Sequence, residues 1–223
     1  MIIELLFWIS LFSLFHTYIF FPLILRLFSS GKEENPEVYT TNDHLPLVSV
    51  IMAVHNEEPV LKEKIKSLYY TNYPHQSLEV WVGSDNSDDG TNRILNIFAI
   101  NYENFNYREY KHRTGKPEII NRLVSFAKGE IIIITDANIF LEPTTLLEIV
   151  KHFKNPAVGL VDTKMVHRGE RITGISYQEN AYINREFRIK EMESKLWGTM
   201  MALLVDVLQL EKLFFLLCPV IFW

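Results

Sequence analysis

The 223 residues are 48% apolar and 13% aromatic, ample for a sizeable core, so a disordered chain is excluded. A net charge of −5 argues against nucleic acid as a partner, because phosphate backbones select basic surfaces. The single cysteine, Cys218, leaves no disulfide framework or paired-cysteine metal site, and the seven histidines have no metal-ligand spacing.

From Leu5 to Leu25 the chain is apolar apart from Ser10, Ser13, His16, Thr17 and Pro22. At helical rise this run spans about 30 Å, one hydrocarbon thickness, so residues 1–28 are predicted to form a single membrane anchor. A cleaved signal peptide would have a shorter apolar region and a basic start, whereas this chain begins with Glu4 and no Lys or Arg. Arg26 and Lys32 follow the run, so the remainder is expected on the cytoplasmic side. Residues 29–46, with Gly31, Pro36 and a Lys-Glu-Glu-Asn cluster, read as a polar linker.

The soluble part opens with a buried strand, Leu47–Val54, which breaks into His55-Asn-Glu-Glu-Pro59. Pro59 suits the first turn of a helix with Leu61, Ile65 and Leu68 inward and Lys62, Glu63, Lys64 and Lys66 on a solvated face. A second strand, Leu78–Gly83, leads into Ser84-Asp-Asn-Ser-Asp-Asp-Gly-Thr91, where Asp88, Asp89 or Thr91 can cap the helix carrying Ile94, Leu95, Ile97 and Phe98. Capping explains Asp85 less well, because it directly follows the strand. A short strand is expected over Asn106–Lys111, then a helix from Pro117 to Gly129 with Ile119, Ile120, Leu123, Val124 and Ala127 inward. Lys116 stands at that helix N-terminus, where a cation is mildly unfavourable unless an anion binds there.

Four consecutive isoleucines, Ile131–Ile134, predict a strand buried on both faces that ends at Thr135-Asp-Ala-Asn138. In open α/β sheets ligands bind beyond the carboxyl ends of strands, so Asp136 and Asn138 there suggest a metal or phosphate site. An Asx turn capping the next helix accounts for the same residues equally well. A helix beginning at Pro143 and carrying Leu146, Leu147, Val150 and Phe153, and a strand over Ala157–Val166, complete the alternation. Ile175, Tyr182, Ile189 and Leu196 then recur every second turn of an amphipathic helix. Strand and helix in alternation predict an α/β fold with a mainly parallel sheet flanked by helices. No GxGxxG follows any strand, which disfavours a dinucleotide-dependent oxidoreductase.

Together, Val48-Ser-Val-Ile-Met-Ala-Val-His-Asn-Glu57, Ser84-Asp-Asn-Ser-Asp-Asp-Gly-Thr91, Gly115-Lys116 with Asn121, and Thr135-Asp-Ala-Asn138 resemble the family 2 glycosyltransferases in order and spacing over about residues 47–201. The resemblance implies a GT-A fold, a nucleotide-diphosphate sugar donor, Mg²⁺ or Mn²⁺, and inverting transfer to the hydroxyl of a glycan or lipid-linked acceptor. It also implies a bacterial type anchored in the inner cell membrane by its N-terminal helix. Carried over by position, Asn56 and Glu57 would lie beside the nucleotide, Asp85 would bond the base, Lys116 would approach the phosphates, and Asp136 would hold the metal. Asn138 stands where the family's DxD signature has its second acid. A neutral amide is the weaker ligand for a hard cation, so the diphosphate would have to supply most of the coordination.

Residues 202–223 do not continue the family pattern. Asp206, Glu211 and Lys212 interrupt them too often for a membrane span, leaving an amphipathic interfacial helix as one expectation. A frameshift is the other: one back-translation with a single G restored after Met201 reads GPFGGCFAIRK, similar to the family's glycine-rich acceptor-side loop. On that reading the acceptor half with its catalytic base is missing, and the alternative to an enzyme is a noncatalytic nucleotide-sugar-binding remnant or partner subunit.

Overall fold

The computed structural model describes residues 1–31, 37–40, 43–163, 175–197 and 207–211. They fall into two compact units, one of Met1–Pro36 with Lys164–Leu203 and one of Glu37–Thr163 with Leu204–Trp223.

The first unit holds a helix over Ile2–Ser29, long and apolar enough to cross a membrane. It runs as α1 (Ile2–Phe15), a π turn (His16–Phe20) and α2 (Phe21–Ser29). Pro22 has no N–H to give the carbonyl four residues back, that of Tyr18, and the helix widens just there. Arg185 donates to the Tyr18 carbonyl, and its guanidinium lies 4.9 Å from the centre of the Tyr18 ring. The second helical piece of this unit, Ile175–Trp197, packs on α2, which buries Leu25 and Ser29. That helix was expected from its heptad of apolar residues, but its face differs. Tyr182 is exposed, Ile189 and Leu196 are half-buried, and Lys190 and Glu193 are buried.

The second unit is built on strands β1 (Val48–Val54), β2 (Leu78–Asp85), β3 (Phe105–Tyr110), β4 (Ile131–Thr135), β5 (Leu160–Asp162) and β6 (Val207–Glu211), in the order β3-β2-β1-β4-β6-β5. The first four are parallel, and β6 runs antiparallel to both β4 and β5. Side chains alternate across the sheet, so β1 sends Val48, Val50, Met52 and Val54 into one core with Leu61, Ile65 and Leu68 of α3 (Glu58–Tyr69), Leu95 and Phe98 of α4 (Thr91–Asn101), and Leu146, Ile149 and Val150 of α6 (Thr145–Val150). The opposite face takes α5 (Lys116–Phe126), whose Ile119, Ile120, Leu123 and Val124 are buried, as the sequence predicts. Gly83 lets α5 come this close: a Cβ there would lie 2.3 Å from Ile119 Cγ2.

Three expectations shift. The helix after Pro143 begins at Thr145 and passes into a 3₁₀ turn, Lys151–Lys154. The strand expected over Ala157–Val166 is short, Leu160–Asp162, and its last three residues lie outside the described segments. Residues 207–211, expected within an amphipathic helix, form β6 instead, because backbone pairing with β4 and β5 supplies partners that local sequence does not reveal. The rest of the 202–223 tail lies outside the described residues.

Candidate functional site

The chain goes β1, β2, β3 toward one edge and then crosses back to place β4 on the other side of β1. This reversal opens a crevice at the carboxyl ends of β1 and β4, the place where open α/β sheets bind ligands. Register brings the strand ends level: Val54 pairs with Ser84, Asp85 with Tyr110, and Ile51 with Ile134. His55–Glu57, Asp85 and Asp136 therefore emerge on one rim.

After β1, Asn56 takes φ 54°, a left-handed conformation that Asn tolerates better than most residues. Its side chain holds the loop after β2: Nδ2 donates to Asp88 Oδ1 at 2.6 Å, and Oδ1 accepts the Asp88 N–H at 3.0 Å. The Glu57 N–H donates to Thr91 Oγ1 at 2.9 Å. Glu58 opens α3 and accepts the Gly90 N–H at 2.8 Å, while its own N–H goes to Asp89 Oδ2 at 3.1 Å. Asp89 also accepts the Thr91 N–H at 2.9 Å, but the N-cap position of α4 is Gly90 and carries no side-chain cap, so none of the three candidates occupies it. The Glu57 carboxyl is held above the usual range by burial first, then by the negative charges of Asp136 and Asp89, with His55 opposing.

Asp85, the last residue of β2, is 4% exposed. One carboxylate oxygen accepts the Thr114 N–H at 2.6 Å, the other the Gly115 N–H at 3.0 Å, and Arg113 Nε lies 3.5 Å away. Asp85 thus fixes the loop that delivers Lys116. Gly115, at φ 90°, occupies a conformation costly for any other residue and turns the chain into α5. Lys116 then reaches across to form an ion pair with Asp136. The carboxylate answers the cation that the helix N-terminus disfavours.

Asp136 follows β4 directly, with Ala137 buried and Asn138 exposed. The Ile139 N–H donates to the Asp136 backbone carbonyl at 3.4 Å, a backbone turn rather than the Asx turn that the sequence allows, which would use the carboxylate; the carboxylate takes Lys116 instead. Behind the turn lies the main departure from the sequence reading. Lys64, expected on a solvated face, is fully buried, its ammonium donating to Thr135 Oγ1 at 2.8 Å and to the Ile139 carbonyl. Burial lowers its pKa to about 7, against the opposing pull of Asp136. The periodicity contained a signal: Leu61, Lys64, Ile65 and Leu68 sit at i, i+3, i+4 and i+7, one helical stripe.

Of the residues proposed for the site, Lys116 and Asp136 are in contact, Glu57 feels the Asp136 charge, and Asn56 and Asp85 each anchor a neighbouring loop. Among the described residues no three His, Cys, Asp or Glu side chains gather to hold a metal. Asp136 and the Asn138 amide oxygen fit Mg²⁺ or Mn²⁺ only as part of a coordination shell, which suits a hard cation that arrives with phosphate oxygens.

The profile of the family described as "Glycosyl transferase family 2" matches residues 49–209. Relatives include the β-monoglucosyldiacylglycerol synthase of a Nostoc species, 34% identical over 122 residues, 54% of this chain and 26% of the relative. A probable glycosyltransferase of Bacillus subtilis is 30% identical over 116 residues, 51% of this chain and 28% of the relative. The chain thus spans only about a quarter of the length of these relatives. Among solved structures, a mannosyltransferase from Pyrobaculum calidifontis, in complex with GDP-Man and Mn²⁺, superposes with a TM-score of 0.69 at 25% identity, over 92% of this chain and 56% of that one. The S. aureus TarS structure matches in fold, with a TM-score of 0.50 at 24% identity over 57% of this chain and 38% of that one. The fold is GT-A, and the chain belongs to glycosyltransferase family 2.

Proposed function

We propose that this chain binds a nucleotide-diphosphate sugar with Mg²⁺ or Mn²⁺ and transfers the sugar, with inversion, to a hydroxyl of a glycan or lipid-linked acceptor. One observation carries the reading: Asp136, at the carboxyl end of β4, faces Lys116 at the N-terminus of α5 across the switch point of the sheet. The pair is partly exposed, Lys116 42% and Asp136 31% by side chain, and such pairs contribute only about 0–1 kcal/mol. Exchanging partners is therefore cheap. On donor binding Lys116 would turn to the diphosphate oxygens, and Asp136 with Asn138 would hold the cation, whose charge would offset that of the departing diphosphate.

In the transfer, the acceptor oxygen forms a bond to the anomeric carbon as the bond to the diphosphate oxygen breaks. The hydroxyl proton passes to a general base of the acceptor half, a role that none of the donor-site residues named above fills, and the nucleoside diphosphate leaves. Lys116 stabilises the charge that grows on the leaving oxygens. Asn56 and Glu57 border the nucleotide, and Asp85 sets the loop beside it and bonds the base. The mannosyltransferase neighbour, with GDP-Man and Mn²⁺, supports the donor class and the metal. Similarity to a glucosyldiacylglycerol synthase and the apolar Ile2–Ser29 helix support an acceptor at a membrane. Residues 1–28 serve as the inner-membrane anchor, residues 29–46 as the link, and residues 47–201 as the cytoplasmic donor domain. Arg26 and Lys32 after the helix support that orientation.

The test is transfer itself. The purified full chain in lipid nanodiscs is given radiolabelled UDP- and GDP-sugars, MnCl₂ or MgCl₂, and diacylglycerol or a membrane extract. Metal-dependent label in the lipid or glycan fraction, lost in Asp136→Ala and Lys116→Met, is the expected result. Transfer that survives both substitutions would overturn the assignment.

A further inference from the structure

We propose that Lys64 is a positioning residue for the Asp136–Asn138 turn, its ammonium tying Thr135 and Ile139, the residues that flank the turn, to helix α3. The inference rests on the reading of Asp136 and Asn138 as the cation-holding residues of the donor site.

The stripe position of Lys64 would ordinarily hold a Leu or Met. An ammonium in a core is strongly disfavoured unless its donors are met. Here two are met, by Thr135 Oγ1 at 2.8 Å on the near side of Asp136 and by the Ile139 carbonyl just past Asn138. Both acceptors belong to the one segment that carries the proposed cation site.

The attachment continues along the helix. Ser67, one turn on, donates to the Lys64 carbonyl at 2.7 Å and accepts the Leu141 N–H at 3.3 Å. Where α3 ends, Thr71 Oγ1 and the Asn72 N–H both donate to the Pro143 carbonyl, at 3.2 and 2.8 Å. Residues 139 and 141 are thus fastened in sequence to α3, and residue 143 to the turn that directly follows it. That helix begins at Glu58, immediately after Asn56 and Glu57, so both sides of the crevice are referred to the same rigid element. A carboxylate held within a few tenths of an ångström coordinates a small cation better than one on a free loop, because the ordering cost has been met before binding.

The experiment measures binding of UDP and of GDP to the purified full chain by calorimetry, with and without MnCl₂, for the natural sequence, Lys64→Met, Thr135→Val and Asp136→Ala. In Lys64→Met the gain in affinity conferred by Mn²⁺ is expected to fall tenfold or more, with metal-free binding within twofold of the natural chain. Thr135→Val should move the same way by a smaller factor. A role confined to core stability would not separate the metal-dependent from the metal-free component. An unchanged Mn²⁺ gain in Lys64→Met, with the gain abolished in Asp136→Ala, overturns the positioning role and leaves the donor-site reading standing. If Asp136→Ala keeps the gain, or the natural chain shows none, the donor-site reading fails. Amide exchange over residues 137–141 then decides: faster exchange in Lys64→Met supports the tie, and unchanged exchange overturns it. Should Lys64→Met not fold, Thr135→Val carries both measurements, and no change in either refutes the proposal.

Discussion

Replacing Asp85 by alanine tests the way this site is built. Its carboxylate is 4% exposed and accepts two backbone N–H groups, those of Thr114 at 2.6 Å and Gly115 at 3.0 Å. A donor left without a partner in a buried place costs about 1–3 kcal/mol, and the flanking loop is open enough to admit some water, so the two together should cost about 2–4 kcal/mol. The contact with Arg113, whose side chain is 55% exposed, adds at most about 1 kcal/mol. Asp85→Asn keeps one acceptor oxygen but turns donors toward a donor, and should fall between alanine and the natural residue. The assay is urea unfolding of the full chain, read alongside amide exchange at Thr114 and Gly115. Both amides should exchange faster in the alanine variant, and Lys116 should lose its fixed approach to Asp136. Unfolding free energy within about 0.5 kcal/mol of the natural chain, the scale of an ordinary surface substitution, with unchanged exchange at both amides, would refute the reasoning.

Two predictions concern pH. Lys64 titrates near 7 in the folded chain and near its ordinary 10.5 when unfolded, so between those values the unfolded chain binds more protons and stability rises with pH. Measured against Lys64→Met, the natural chain should gain stability from pH 7 to pH 10, by up to about 1.4 kcal/mol per pH unit, and a flat difference would contradict the burial argument. Glu57 is shifted the other way: its folded pKa is raised, so its contribution is retained below the unfolded carboxylate value and lost as pH rises through the folded one. Glu57→Gln should therefore be the more stable protein at pH 7, with the gap closing toward pH 4 in thermal unfolding scans.

Much of this arrangement was legible in the sequence where the signal is local. Four isoleucines in a row point to a doubly covered strand, and the acid that ends them must leave the core, which places Asp136 at the strand's exit. Pro117 and the spacing of Ile119, Ile120, Leu123 and Val124 likewise placed α5 and with it Lys116. What escaped is what distance along the chain conceals. Local sequence points Lys64 to solvent, where lysine usually belongs, and its two acceptors lie 71 and 75 residues away. The hold of Asp85 on the loop before α5 escaped as well, because the Thr114 and Gly115 N–H groups that its oxygens accept lie 29 and 30 residues on. β6 escaped because a five-residue strand inserted antiparallel between β4 and β5 is stabilised by pairing that no local window contains.

The most direct test of the central claim is Mn²⁺ binding followed by electron paramagnetic resonance as UDP or GDP is added to the full chain. The account predicts that free Mn²⁺ signal falls when nucleoside diphosphate and protein are both present, beyond the loss that the nucleotide alone causes, and that Asp136→Ala abolishes this extra loss. Equal binding of the cation by Asp136→Ala and the natural chain would contradict it.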